Sequence, residues 1–111
     1  MNPERNSIKC GIDLVLNKRI ESQLNNQEFL KKVFHPTELK NKSKLPGIFA
    51  LKEAMMKALG KKLDWLDIEV IAKDGQKPEI HIPGLSKKLK SIDASISHDG
   101  DYTIGMVVIE V

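Results

Sequence analysis

The sequence predicts an α+β fold in which one long helix packs on a mostly antiparallel sheet. Two apolar segments near the ends of the chain, at 8–15 and 102–111, have the composition of strands. A third segment, at 46–59, has its apolar residues at helical spacing. With 111 residues, 41% of them hydrophobic, the chain is expected to form one domain over 1–111 around a single core.

The N-terminal part of the chain is predicted to contain a strand and an interrupted helix. Residues 8–15 are apolar apart from Lys9, a glycine and Asp13, which favours a strand. Residues 17–33 carry apolar side chains at helical spacing, with a break expected at Asn25 and Asn26. The segment 35–44 begins with a turn and is polar, so we expect it to be exposed.

The longest helix is predicted from Pro46 to about residue 59. Pro46 suits the first turn, where its missing N–H costs nothing, and Gly60 suits the position after the C-terminus. Glu53 and Lys57 lie one turn apart on the other side of the helix from an apolar stripe. That stripe predicts the face that packs on the core, and it consists of Leu51, Ala54, Met55, Ala58 and Leu59.

The C-terminal half is predicted to be mainly β-structure. Residues 66–72 alternate as a strand, Asp74-Gly75 forms a turn, and 79–82 return as a second strand, which indicates a hairpin. A short amphipathic helix is expected at 85–89, and a short strand at 94–97 leads through a turn into the last strand. Both faces of the last strand are apolar, so it is central or its second face is buried by another subunit.

Composition restricts the class of protein. The charged fraction of 30% and the lack of any long apolar segment exclude a membrane-spanning chain, and residues 1–9 lack the apolar segment of a secretory signal. Cys10 is the single cysteine, which excludes an internal disulfide framework. We therefore expect a cytoplasmic protein that does not bind a membrane.

The charge balance indicates the kind of partner. The net charge is +3, and lysines cluster at 40–44, 61–62 and 87–90. Such clusters suit an acidic or phosphate-rich partner, but they also serve simply to keep an exposed face solvated. An aromatic content of 5% argues against a surface for stacking bases, so we expect no nucleic-acid partner.

Three short segments carry candidate functional side chains. Asp13 at the end of an apolar strand either caps the following helix or binds a metal ion. Glu53 and Lys57 form either an exposed salt bridge or a pair in which the carboxylate binds a metal and the lysine faces a phosphate. His98, beside Ser97, either hydrogen-bonds the following turn or belongs to a site.

The order of these segments resembles that of the holo-[acyl-carrier-protein] synthases, which are small 4′-phosphopantetheinyl transferases. The resemblance lies chiefly in GIDLV at 11–15, KEAMMKALG at 52–60 and SISHDGDY at 95–102, and it extends over nearly the whole chain. Members of this family transfer 4′-phosphopantetheine from coenzyme A to a serine of an apo acyl carrier protein and release adenosine 3′,5′-bisphosphate. The resemblance implies the 4′-phosphopantetheinyl transferase fold and a magnesium-dependent enzyme.

The resemblance also implies the roles of individual residues. Asp13 and Glu53 are expected to bind Mg²⁺, and Glu53 is expected to accept the proton of the carrier serine, either directly or through a metal-bound water. Lys57 is expected to stabilise charge on the leaving phosphate of coenzyme A. His98 is expected to contact a coenzyme A phosphate, with Ser97 adding a hydrogen bond nearby.

The same resemblance implies partners. The acidic carrier protein is expected to dock on the first helix, at Lys18 and Arg19. Bacterial members form trimers with active sites between subunits, and the doubly apolar last strand is consistent with a homotrimer.

Three positions depart from the family pattern. Ile48 replaces a usual arginine, the segment 40–46 is short, and the glycine of a Gly-x-Pro turn lies one place early, at Gly75. These changes predict weak coenzyme A binding or a specialised carrier partner. They also support an alternative function, that of a catalytically weak or inactive paralogue that binds an acyl carrier protein.

Overall fold

The fold is α+β, as predicted. The computed structural model describes residues 7–85 and 88–111, and none of the helices in these ranges is long and apolar enough to cross a membrane. Single 3₁₀ turns at Glu38–Lys40, Lys42–Lys44 and Trp65–Asp67 lie in the connections. The main elements are β1 (Ile8–Leu16), α1 (Asn17–Glu21), α2 (Gln27–Val33), α3 (Leu45–Leu59), β2 (Glu69–Ile71), β3 (Glu79–His81), β4 (Ser91–Asp99) and β5 (Tyr102–Glu110).

The strands form two antiparallel sheets. The larger has the order β1-β5-β4, so the last strand is central, and the smaller is the β2–β3 hairpin. One face of the larger sheet is buried beneath α3. The opposite face carries a row of large apolar side chains that are at least 37% exposed, namely Ile8, Ile12, Leu14, Tyr102, Ile104 and Met106. We call this row the apolar sheet face.

Glycines allow α3 to lie directly on the sheet. A Cβ atom on Gly11 of β1 would lie 1.9 Å from the carbonyl oxygen of Ala54, and one on Gly105 would lie 2.7 Å from the carbonyl carbon of Ala50. At the helix N-terminus, a Cβ on Gly47 would lie 3.0 Å from the Ile96 side chain on β4. The helix therefore crosses the sheet from β4 over β5 to β1, with its backbone in contact with the last two.

Several elements differ in length from their predicted bounds. The helix expected at 17–33 is two short helices, and the Asn26 side chain accepts a hydrogen bond from Phe29 N to cap the second. The strand expected at 66–72 is reduced to β2 because Asp64 caps a 3₁₀ turn there. The strand expected at 94–97 extends over Ser91–Asp99, and the helix expected at 85–89 includes Ser86 and Lys87, which lie outside the described residues.

The long helix begins one residue before Pro46 and ends at Gly60, whose φ of 73° is the left-handed conformation expected after a helix. The predicted apolar stripe is confirmed, but the helix is buried on nearly every side. Its buried residues include Ile48, which extends that stripe toward the N-terminus, and Lys52, which lies beside it. A helix enclosed in this way needs partners for any polar side chain it buries.

Lys52 finds its main partner in Glu38, within the polar segment that was wrongly expected to be wholly exposed. Lys52 Nζ lies 2.8 Å from Glu38 Oε1, and both side chains have no exposed area. The ammonium also donates to the carbonyl oxygens of Val33 (2.7 Å) and Trp65 (3.2 Å).

Glu38 in turn accepts hydrogen bonds from the backbone N–H groups of His35 (2.7 Å) and Val70 (2.8 Å). Burial lowers the pKa of Lys52, while the hydrogen bond and the charge of Glu38 oppose that shift. The pair thus joins α3 to the end of α2, the first 3₁₀ turn, the turn at 65–67 and β2.

Replacing Lys52 with methionine is expected to lower the free energy of unfolding by about 3–5 kcal/mol, because Glu38 would remain buried without its cation. Urea denaturation followed by circular dichroism measures this change. The control is Lys31→Met on the exposed surface of α2, which is expected to change stability by less than about 0.5 kcal/mol.

The double variant Lys52→Met/Glu38→Gln removes both charges and is expected to recover part of the loss. Equal stabilities of Lys52→Met and Lys31→Met would contradict a stabilising role for the pair.

Candidate active site

Asp13 and Lys57 meet where α3 crosses β1. Lys57 Nζ lies 3.1 Å from Asp13 Oδ1 and donates to the carbonyl oxygen of Ile12 at 3.0 Å. The Asp13 side chain is 15% exposed and that of Lys57 is 55% exposed, so the carboxylate is sheltered while the ammonium reaches solvent. Asp13 does not cap the following helix, since the N-cap position of α1 is Leu16.

Glu53 shares a helix face with Lys57. The sequence left open an exposed salt bridge between these two side chains, but Lys57 turns to Asp13 instead. Glu53 is partly buried, and its carboxylate makes no hydrogen bond or ion pair with residues 7–85 or 88–111. Its carboxylate is therefore available to a ligand or a substrate.

Asp13 and Glu53 could supply part of the coordination of a cation, whose remaining ligands would come from other molecules. Lys57 contacts Oδ1 of Asp13, and Oδ2 has no partner among the described residues. No group of three or more His, Cys, Asp or Glu side chains that could hold a metal occurs in the described part of the chain. Mg²⁺ commonly binds through one or two carboxylates together with water and substrate phosphate oxygens. Asp13 and Glu53 therefore suit Mg²⁺ better than they suit a metal ion that takes all of its ligands from protein.

A cleft of about 770 Å³ lies between the N-terminus of α3, β4 and the loop of the β2–β3 hairpin. His98 lines it, as do Lys44, Lys73 and Lys77, whereas Asp13, Glu53 and Lys57 do not. The cleft thus combines a histidine and three lysines with two acidic residues, Glu21 and Asp74, so lysines outnumber carboxylates in a lining that suits an anionic ligand. We call it the lysine cleft.

Ser97 and His98 lie on opposite faces of β4. Ser97 pairs with Ile104 and His98 with Thr103, and alternate residues of a strand point to opposite sides. Ser97 does not line the lysine cleft. The structure therefore brings His98 to the cleft and leaves Ser97 on the same side of the sheet as Ile104.

The lysines of the cleft were not identified individually from the sequence. Lys44 belongs to a cluster that suited either a phosphate-rich partner or solvation, and Lys73 and Lys77 flank the Asp74-Gly75 turn. The position of a turn in the sequence does not say what it folds against, so only the tertiary structure places these side chains together.

Ile48 is 3% exposed and belongs to the core. It does not line the lysine cleft. The departure from an arginine at this position therefore leaves an apolar side chain packed inside the domain.

Lys18 and Arg19 are exposed on α1, whose inward side is held by buried Ile20. Neither charged side chain has an ion-pair partner in the described ranges. Lys31 and Lys32 are likewise exposed near the end of α2. Together these four side chains present positive charge to solvent.

Comparison with known proteins places this arrangement in a family. A family model described as the 4′-phosphopantetheinyl transferase superfamily matches residues 9–107. The holo-[acyl-carrier-protein] synthase of Finegoldia magna is 39% identical over 112 residues, which cover 92% of this chain and 95% of that protein.

Solved structures agree with the sequence comparison. The chain is similar to Helicobacter pylori holo-[acyl-carrier-protein] synthase in complex with coenzyme A, with a TM-score of 0.80, 33% identity and coverage of 90% of this chain and 98% of that one. A holo-(acyl-carrier-protein) synthase from Bacillus anthracis in complex with CoA (3′,5′-ADP) gives a TM-score of 0.77 at 30% identity, covering 92% of this chain and 95% of that one.

Proposed function

The chain belongs to the 4′-phosphopantetheinyl transferase superfamily, and we propose that it transfers 4′-phosphopantetheine from coenzyme A to a serine of an apo acyl carrier protein. The observation that carries this proposal is the free carboxylate of Glu53 beside the Asp13–Lys57 contact. The transfer needs a group that accepts a proton, a cation that stabilises the leaving phosphate and carboxylates that bind a metal ion such as Mg²⁺. Asp13, Glu53 and Lys57 can supply these groups.

Glu53 is the proposed proton acceptor. The serine Oγ forms a bond to the phosphorus of the phosphopantetheine group as the P–O bond to the second phosphate of the pyrophosphate breaks. The hydroxyl proton passes to Glu53, and the electron pair of the broken bond leaves on adenosine 3′,5′-bisphosphate. A carboxylate without other partners is suited to this role because it need not give up a hydrogen bond first.

Lys57 is the proposed stabiliser of the leaving phosphate. Asp13 Oδ1 and the carbonyl oxygen of Ile12 hold its ammonium in place, so the charge is positioned before the substrate arrives. Asp13 and Glu53 would hold Mg²⁺, which when bound neutralises negative charge on the pyrophosphate.

The lysine cleft is the proposed binding site for the phosphates of coenzyme A, with His98 among its contacts. The complex of the H. pylori relative with coenzyme A supports this ligand. Asp13 and Glu53 do not line the lysine cleft of the same chain. This separation favours an active site that is completed between subunits.

Glu53→Gln is expected to slow transfer by about 100-fold or more, because an amide cannot accept the serine proton. Intact-protein mass spectrometry of apo acyl carrier protein incubated with coenzyme A and magnesium measures transfer as an added phosphopantetheine mass. The matched control is Glu79→Gln, an exposed glutamate outside the lysine cleft, which is expected to leave the rate unchanged.

A chelator is expected to abolish transfer by the wild type. If the folded wild type adds no mass to any of several carriers, the alternative of an inactive carrier-binding paralogue replaces this proposal. The buried Ile48, which offers no cation to a phosphate, is the observation that favours that alternative.

Lys18 and Arg19 are the proposed contacts for the acidic carrier protein. Arg19→Ala is expected to weaken carrier binding about two- to fivefold, as for an exposed ion pair, without changing coenzyme A binding. Calorimetric titrations with each partner measure both affinities, and Lys62→Ala, another exposed cation, is the control. Unchanged carrier affinity in Arg19→Ala would exclude Arg19 from the docking surface.

The apolar sheet face is the proposed subunit interface of a homotrimer. Met106→Lys is expected to yield monomers, because it places a charge at the centre of that face, whereas the wild type sediments as a trimer. Leu66→Lys is the matched control, since Leu66 is 41% exposed and Met106 is 44% exposed, but Leu66 lies outside the sheet. A monomeric wild type in analytical ultracentrifugation would contradict this assembly.

A further inference from the structure

Two ion pairs hold the loop of the β2–β3 hairpin against the rest of the domain. Asp74 Oδ1 lies 2.6 Å from Nζ of Lys44, which precedes α3. On the far side of the same loop, Lys77 Nζ lies 2.5 Å from Oδ1 of Asp93 on β4. Both lysines line the lysine cleft, so the two pairs occupy cations that face an open site.

The carboxylates of these pairs are ionised at neutral pH. The hydrogen bond from Lys44 lowers the pKa of Asp74, and the hydrogen bond from Lys77, helped by the N–H of Ala94, lowers that of Asp93. Each carboxylate therefore carries a full negative charge, and it accepts one hydrogen bond from the ammonium of a lysine that lines the cleft.

The third lysine of the cleft is different. The Lys73 side chain makes no hydrogen bond or ion pair with any residue that the structure describes. Of the three cleft lysines, two are therefore engaged by carboxylates of this chain and one is available to a ligand.

We propose that Asp74 and Asp93 compete with the anionic ligand of the lysine cleft for Lys44 and Lys77. A phosphate-bearing ligand that enters the cleft draws each ammonium from its carboxylate, so part of the binding energy is spent on breaking the two pairs. In this scheme Asp74 and Asp93 are positioning residues that set how tightly the cleft holds phosphates. The inference rests on the proposed function for the identity of its ligand, coenzyme A.

The exchange is energetically feasible because each pair has an exposed carboxylate, although the Lys44 side chain is only 26% exposed. The Asp74 side chain is 92% exposed, and those of Lys77 and Asp93 are 65% and 68% exposed. Solvent-exposed ion pairs contribute little to stability, so a polyanion with several charges can displace them. Loss of the Asp93 contact would leave the Lys77 ammonium free to bind a ligand in the cleft that it already lines.

Competition and simple anchoring of the loop predict opposite changes in affinity. If the pairs compete with the ligand, Asp74→Asn and Asp93→Asn each bind coenzyme A and inorganic pyrophosphate about two- to fivefold more tightly than the wild type. If the carboxylates only anchor the loop, the same variants bind equally or more weakly. Asp67→Asn, an exposed aspartate outside the cleft, controls for the loss of one negative charge.

The experiment is isothermal titration of the full chain with coenzyme A and, separately, with pyrophosphate, in low-salt buffer. Lys44→Met is expected to weaken binding. In the double variant Lys44→Met/Asp74→Asn, the gain from Asp74→Asn is expected to disappear, because the carboxylate no longer has a lysine to release. A gain that persists without Lys44 would overturn the assignment for Asp74.

Transfer to apo carrier protein is measured on the same samples. Failure of the competition proposal can therefore be distinguished from failure of the proposed transferase function. Unchanged or weaker binding of both ligands in the aspartate variants, including a lack of measurable binding, overturns the competition whatever the transfer rate. Tighter pyrophosphate binding in a protein that transfers nothing supports the competition and removes the proposed function.

Discussion

The buried ion pair between Lys52 and Glu38 determines how α3 is oriented in the domain. The pair uses the donors and acceptors of both side chains to bind backbone groups of four neighbouring segments. Successive residues of a helix are turned by about 100°, so pinning Lys52 on one side sets the direction of Glu53 next to it. One turn further, Lys57 then faces β1 and reaches Asp13. The candidate chemistry of the helix therefore depends on an interaction on its other side.

The glycines of the sheet are the second requirement for this site. Gly11 and Gly105 let the backbone of α3 approach β1 and β5 more closely than any side chain would permit. A helix held further away would separate the ammonium of Lys57 from Asp13 Oδ1 and from the carbonyl oxygen of Ile12. Glycines on β1 and β5 and the Lys52–Glu38 pair thus act together to place the side chains of the proposed active site, which belong to different elements.

Local pattern predicted the long helix, because Pro46 and Gly60 are signals contained in a short stretch of sequence. The apolar residues on both faces of β5 left two alternatives, a central strand or a face buried by another subunit, and the strand is central in its sheet. The same reasoning gave the wrong environment for Glu38, because a polar segment does not reveal that one of its residues will pair with the buried Lys52. It also left open the partner of Lys57, because i,i+4 spacing favours a local pair and only the tertiary approach of β1 supplies Asp13. The lysines of the lysine cleft come from two segments that lie far apart in the sequence, Lys44 from one and Lys73 and Lys77 from the other.

The pairing of β1 with β5 has a consequence for how the chain acquires its structure. Ile8 pairs with Glu110, so the central strand is synthesised after every element that packs on it. Until that strand is synthesised, β1 and β4 have no partner strand in the larger sheet, and α3 lacks one of the two strands that its backbone contacts. Contacts of such long sequence separation slow folding, because the loop must close before any pairing is gained. The domain therefore assembles cooperatively once β5 has been synthesised, when β1 and β5 can pair.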